Sequence, residues 1–149
     1  MPFLPLPPSA AWAHRDARSG FEVVYFQALD DGHLLTGATT AVEDGQSWIV
    51  DYEIQVDVGW RTLSARVTGR STTGARTRLL ESDGQVRAAY VRALDLSVER
   101  LEQQYTRTAD QHGHQRYDYT APAFDFSCQL VYDEAGLVLA YPGIAVRAF

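Results

Sequence analysis

The chain has 149 residues, with 13 arginines and no lysine against 19 acidic residues, for a net charge of −6. That is one domain's worth, long enough to bury a core without disulfides, and the single Cys128 rules out an intrachain disulfide framework. An acidic chain whose arginines form no evident cluster is repelled by nucleic acid and by anionic membrane surfaces, and no apolar run approaches the ~18 residues of a transmembrane helix.

The opening Met-Pro-Phe-Leu-Pro-Leu-Pro-Pro carries no positive charge and is interrupted by prolines. It reads as neither a signal peptide nor a helix. Residues 1–9 are therefore expected to form an extended, polyproline-like arm ahead of a single domain over residues 10–149, in a soluble, cytoplasmic protein. Strands are predicted over Ala10–His14, Gly20–Leu29 and His33–Val42, with a turn at Asp30-Asp31-Gly32 and another at Glu43-Asp44-Gly45-Gln46. From Trp48 to Val58 an apolar residue stands at every even position, with Asp51, Glu53, Gln55 and Asp57 between them. A period of two puts the even side chains on one face of a long antiparallel strand, about 36 Å at 3.3 Å per residue. After Gly59 the alternation resumes over Arg61–Arg70, and Thr73-Gly74 turns the chain into a further segment, Ala75–Ser82. The buried face is expected to hold Trp48, Val50, Tyr52, Ile54 and Val56, together with Leu63, Ala65, Val67, Phe124, Phe126, Cys128 and Leu130.

Leu94–Thr108 fits two readings. Leu94, Val98, Leu101 and Tyr105 have helical spacing, whereas alternation within the same residues fits two short strands. The strand pattern returns plainly over Gln115–Thr120 and Phe124–Tyr132, then Leu137–Tyr141, with a last short strand running to Phe149. The chain thus reads as all-β, a single wrapped antiparallel sheet whose two faces differ in chemistry.

Few residues carry a catalytic signature. His112-Gly113-His114 has the two-residue spacing of paired ligands on a strand, but no third ligand accompanies it and it sits in a Gly-flanked turn, so no metal is expected. Cys128 alternates with Phe124, Phe126 and Leu130, the place of a core thiol rather than a nucleophile. No phosphate-cradling glycine loop, dinucleotide fingerprint or nucleophile elbow is present, so neither a cofactor nor a catalytic residue is assigned. Asp51, Glu53 and Asp57 offer carboxylates for a hydrolase, set against the plainer reading of a solvated or arginine-paired strand face. The aromatic content is more suggestive. Tyrosine and tryptophan join an apolar body to a polar tip, which suits a cleft for a ligand with both sugar-like and hydrocarbon parts, although aromatics also simply favour strands.

Several segments carry a family pattern: Trp12; Gly20-Phe21-Glu22; Leu34–Gly37; Tyr52–Trp60 followed by Arg61; Gln104-Tyr105-Thr106-Arg107; and, most specific, Phe124-Asp125-Phe126 through Gly136-Leu137-Val138 to Tyr141-Pro142-Gly143-Ile144 and Arg147. On these the chain resembles a bacterial family described as "putative glycolipid-binding". The resemblance implies a spiral β-roll, a half-barrel of antiparallel strands, and makes Leu94–Thr108 strand. With it the chain is expected to be a non-enzymatic protein that holds an amphiphilic or glycolipid-like ligand in its concave groove; exposed sheet edges give a protein-interaction module, and the strand-face carboxylates a carboxylate-dependent hydrolase, as alternatives. Tyr52, Trp60, Tyr105, Tyr117 and Tyr119 would then supply stacking area, and Arg61, Arg66 and Arg107 would meet a phosphate or carboxylate in the head group. The pattern has one break. Family members carry several tens of further residues between the strand ending here in Ser82-Asp83-Gly84 and the one containing Tyr90-Val91. The undisturbed pattern on both sides predicts a longer chain, joined here between about Gly84 and Ala88.

Overall fold

A computed structural model of the chain describes residues 3–82 and 89–149. The expected break between Gly84 and Ala88 lies outside the described residues. The molecule is built from β1 (Ser9–His14), β2 (Arg18–Leu29), β3 (Gly32–Glu43), β4 (Gln46–Asp57), β5 (Thr62–Ser71), β6 (Gly74–Glu81), β7 (Ala89–Val91), β8 (Val98–Arg100), β9 (Gln104–Arg107), β10 (Gln115–Ala121), β11 (Phe126–Tyr132), β12 (Val138–Tyr141) and β13 (Ala145–Ala148). All but β7 and β8 join one antiparallel sheet in the order β6-β5-β4-β3-β2-β1-β13-β12-β11-β10-β9, while β7 and β8 pair with each other. The sheet is open, so β6 and β9 are edges. It is also curled: residues of β1–β4 and of β11–β13 line one shared hollow.

Local chemistry fixes the register. Asp44 and Gly45 have φ of 51° and 74°, so the β3–β4 hairpin closes in a two-residue turn with both central residues left-handed, the geometry that Asp-Gly favours and that matches strand twist. From there β3 and β4 stay in register from Glu43↔Gln46 to Gly32↔Asp57. The alternation in β4 sorts as expected: Trp48, Val50 and Val56 are buried, Tyr52 and Ile54 half-buried, and Asp51 and Glu53 exposed. Two apolar clusters result. One joins Ala41, Trp48, Val50 and Val67 to Leu96; the other joins Tyr119, Ala121 and Leu130, with Phe126, Cys128, Tyr132 and Tyr141 against it.

Three expectations are corrected. Leu63 is 40% exposed rather than buried, because the β4–β5 register slips between Gln55 and Val56, whose partners are Ser64 and Thr62; Leu63 is left as the extra residue of a bulge. Phe124 is 47% exposed and is not in a strand. It lies in a 3-10 turn, Pro122–Phe124, which ends when Asp125 takes φ 46° and its N–H bonds the Pro122 carbonyl; β11 starts only at Phe126. The third concerns Leu94–Thr108, which is strand only over β8 and β9. Before β8 the chain turns instead: the Leu96 N–H bonds the Arg92 carbonyl, and the Asp95 carboxylate accepts from both the N–H and the hydroxyl of Ser97 at 2.9 and 2.8 Å. The N-terminal arm gives way to β1 at Ser9 and is pinned to the sheet, with Leu4 N–H bonding the Glu134 carbonyl at 2.7 Å.

Candidate functional site

The concave face holds a groove of about 730 Å³. Its floor comes from the central strands, with Trp12 and His14 on β1, Arg18 and Glu22 on β2, Thr39 and Glu43 on β3, and Trp48 and Val50 on β4. These residues share a face because the pairs Trp12↔Glu22, Glu22↔Thr39 and Thr39↔Val50 run straight across four strands. One wall is the turn of the β7–β8 hairpin, Val91 to Leu96; the other is formed by Tyr105, Leu130, Tyr132, Val138, Tyr141, Ile144 and Ala145.

The hairpin wall is seated chiefly by Leu96, with Val91 and Ala93 packed against the same cluster. Leu96 is 2% exposed, and a Cβ on Gly69 would come within 2.9 Å of its Cδ2, so the bare backbone at Gly69 is the socket into which Leu96 fits. Leu96 holds φ at 55°, a conformation a leucine rarely adopts; the socket and the Asp95 turn hold it there.

Several polar groups of the floor are held by close partners, while His14 Nδ1 and Trp48 Nε1 are buried with no hydrogen-bond partner among the described residues. Trp12 donates from Nε1 to the Val138 carbonyl at 2.7 Å and carries the Arg147 guanidinium over its ring at 5.1 Å, while Arg147 also reaches Asp133 at 3.5 Å. Arg18 pairs with Glu43 at 3.3 Å and lies over the Trp48 ring. His14 Nε2 is 2.9 Å from the Thr39 hydroxyl, and burial, helped by nearby Arg18, holds the imidazole below its ordinary pKa, so it is neutral at pH 7. Glu22 accepts a 2.5 Å hydrogen bond from the Tyr52 hydroxyl. Loss of hydration pushes its carboxyl above the usual range, although the Tyr52 hydroxyl favours the anion. Tyr52 in turn is raised by burial and then by the charge of Glu22.

The aromatic wall is a stack of phenols. Tyr119 is 2% exposed and contacts Tyr105, Tyr141 and Phe126, with ring centroids 5.0, 5.6 and 6.3 Å away. Its hydroxyl accepts from Gln103 Nε2 at 2.7 Å. Burial raises the phenols of Tyr105 and Tyr141 and brings Tyr132 up to about 12. Cys128, a free thiol raised by burial, sits behind this wall. The wall is therefore uncharged at neutral pH, offering ring faces and hydroxyl groups together.

Of the residues singled out from sequence, Tyr105 lines the groove. Tyr52 and Tyr119 stand directly behind it, one bonded to Glu22 and the other packed on Tyr105. Tyr117 faces Tyr132 edge-on at 5.5 Å and lies under Arg107, whose guanidinium is engaged by Gln115, Tyr117 and Asp110. Trp60 and Arg61 sit in the β4–β5 turn away from the groove. Trp60 stacks on His33 at 4.8 Å, and the Asp57 carboxylate accepts from the Gly59 and Arg61 N–H groups. Arg66 pairs across the sheet with Glu53 and lines a separate, smaller hollow beside Leu79. Asp51 and Glu53 face away from the groove by the alternation of β4. His112 and Gly113 are the central pair of a two-residue turn, with φ of 55° and 81°. Composition and spacing do not single out Trp12, His14, Glu22 or Tyr141 as lining residues; yet Trp12, Glu22 and Tyr141 all belong to the segments that carry the family pattern.

No helix among the described residues is long and apolar enough to cross a membrane. No curated protein matches the chain. Among solved structures it is similar to a crystal structure of a DUF1089 family protein from Pseudomonas aeruginosa, at 23% identity and a TM-score of 0.69, over 90% of this chain and 95% of the other. That likeness shows the same open, curled antiparallel fold. The family description "Putative glycolipid-binding" matches residues 9–87 and again 81–147, two stretches that overlap over residues 81–87. Together they cover most of the domain, and the chain belongs to this family.

Proposed function

We propose that the protein binds one amphiphilic, glycolipid-like molecule in the concave groove and does not transform it. The observation that carries this reading is the pairing, in one hollow of about 730 Å³, of a tryptophan- and tyrosine-rich lining with a short polar row, His14, Glu22 and Thr39, across the floor. A site of this size and mix suits a ligand with an apolar body and a hydrogen-bonding head. The family description points the same way. Within this reading Tyr105 is a direct contact, Tyr52 and Tyr119 hold the contacting residues in place, and Trp60, Arg61, Arg66, Arg107 and Tyr117 lie outside the ligand's reach.

The reading as a protein-interaction module draws on the open sheet edges: β6 is exposed along nearly its whole length, and Leu79 is 72% exposed there. A groove-binding protein should show one-to-one adducts in native mass spectrometry and a raised melting temperature with members of a lipid and glycolipid panel. Silence across the panel, with self-association or capture of a protein instead, would favour the edge.

A further inference from the structure

The charges around the groove are unevenly balanced. Arg18 is paired with Glu43 at 3.3 Å, and Arg92 with Glu99 at 3.1 Å. Asp95 is occupied by Ser97. Glu22 differs. It stands at the centre of the floor between Trp12 and Thr39, and its Oε1 is held by Tyr52. Among the described residues no arginine forms an ion pair with it. Its second oxygen therefore remains as an acceptor on the groove floor, beside Trp12 and Thr39.

Resting on the proposed groove-binding role, we propose that Glu22 is the specificity-determining residue: its free oxygen accepts hydrogen bonds from the hydroxyls of an uncharged polyol head group, and its charge excludes amphiphiles headed by a carboxylate or phosphate. Selection of this kind works by building repulsion against the wrong partner as well as attraction for the right one. Two like charges placed together in a poorly hydrated hollow are strongly unfavourable, while an anion receiving hydroxyl donors makes charge-assisted hydrogen bonds. Tyr52 holds the carboxylate in position and takes up one oxygen, leaving the other for the ligand. The cations of the lining, Arg18 and Arg92, are paired with Glu43 and Glu99, and His14 is engaged by Thr39.

The test compares dodecyl maltoside with dodecanoate, which have the same chain and different heads, by calorimetric titration at pH 8 and below their micellar concentrations. The wild-type protein should bind the maltoside at least about tenfold more tightly. Glu22→Gln keeps an acceptor and removes the charge, so dodecanoate should gain about tenfold while the maltoside changes by only a few-fold. Equal wild-type affinities for the two would overturn the selector and leave the groove standing. Failure of both to bind would overturn the groove as well. Equal wild-type affinities would overturn the selector even if the variant does not fold.

Discussion

Tyr52 reaches Glu22 by lying across β3, and Gly37 is the residue that lets it pass. Gly37 is paired with Tyr52 on one side and Val24 on the other, and a Cβ there would stand 2.6 Å from the Tyr52 hydroxyl oxygen. The glycine is thus kept for a close approach rather than for a turn. The resulting pair has a definite pH signature. The folded protein holds the Glu22 proton more tightly than the unfolded chain does, because burial raises its carboxyl. Its contribution to stability is therefore present in acid and lost as pH rises through the raised folded value. Glu22→Gln cannot titrate, so melting curves at pH 4 and pH 8 should show the variant gaining on the wild type at the higher pH. A difference that stays constant, or that favours the wild type at pH 8, would mean that the carboxylate is not penalised by burial. None of this can be read from spacing: Glu22 looks like any polar residue of an alternating strand, and Tyr52 like a core aromatic.

At the scale of elements, the long hairpins were predictable because two independent signals agree. Period-two alternation marks β4 and β5, and Asp44-Gly45 fixes where β3 ends and β4 begins. The β7–β8 hairpin offers no such agreement. Its turn depends on a leucine with φ of 55°, on an aspartate bonding a serine two residues on, and on a glycine in another strand. Leucine at a left-handed position has no sequence signature, so the residues around Leu94–Ser97 resemble strand or helix equally well. The same contact makes the hairpin sensitive to one substitution. Leu96→Ala empties the socket over Gly69 and should cost on the order of 2–5 kcal/mol in chemical denaturation. A loss below about 1 kcal/mol would show that the hairpin is held by its Arg92–Glu99 pair rather than by the buried leucine, since exposed pairs of this kind contribute about that much or less.

For the whole molecule, the sheet was legible and the groove was not. Alternation shows which side chains share a face, whereas the lining of the groove depends on how far the sheet curls. Curling brings Tyr132 and Tyr141 to the same hollow as Trp48 and Val50, from strands far apart in both chain and sheet order. It also turns Trp60 and Arg61 outward with the β4–β5 turn, though they follow directly on the strand that supplies the floor. The family pattern is the one sequence signal that reached across this gap, through Trp12, Glu22 and Tyr141.

The three tryptophans divide along the same line: Trp12 and Trp48 line the groove, whereas Trp60 is 50% exposed in the β4–β5 turn. Bromine quenches tryptophan emission only near contact, so an alkyl glucoside brominated along its chain reports where the apolar body lies. Titrating it into the wild type and into Trp60→Phe measures the groove claim directly. If the ligand occupies the groove, the quenched fraction is large in the wild type and rises in Trp60→Phe, which has lost only unquenched emission. If quenching is instead confined to Trp60, and disappears in Trp60→Phe, the ligand binds elsewhere and the concave groove is not the site.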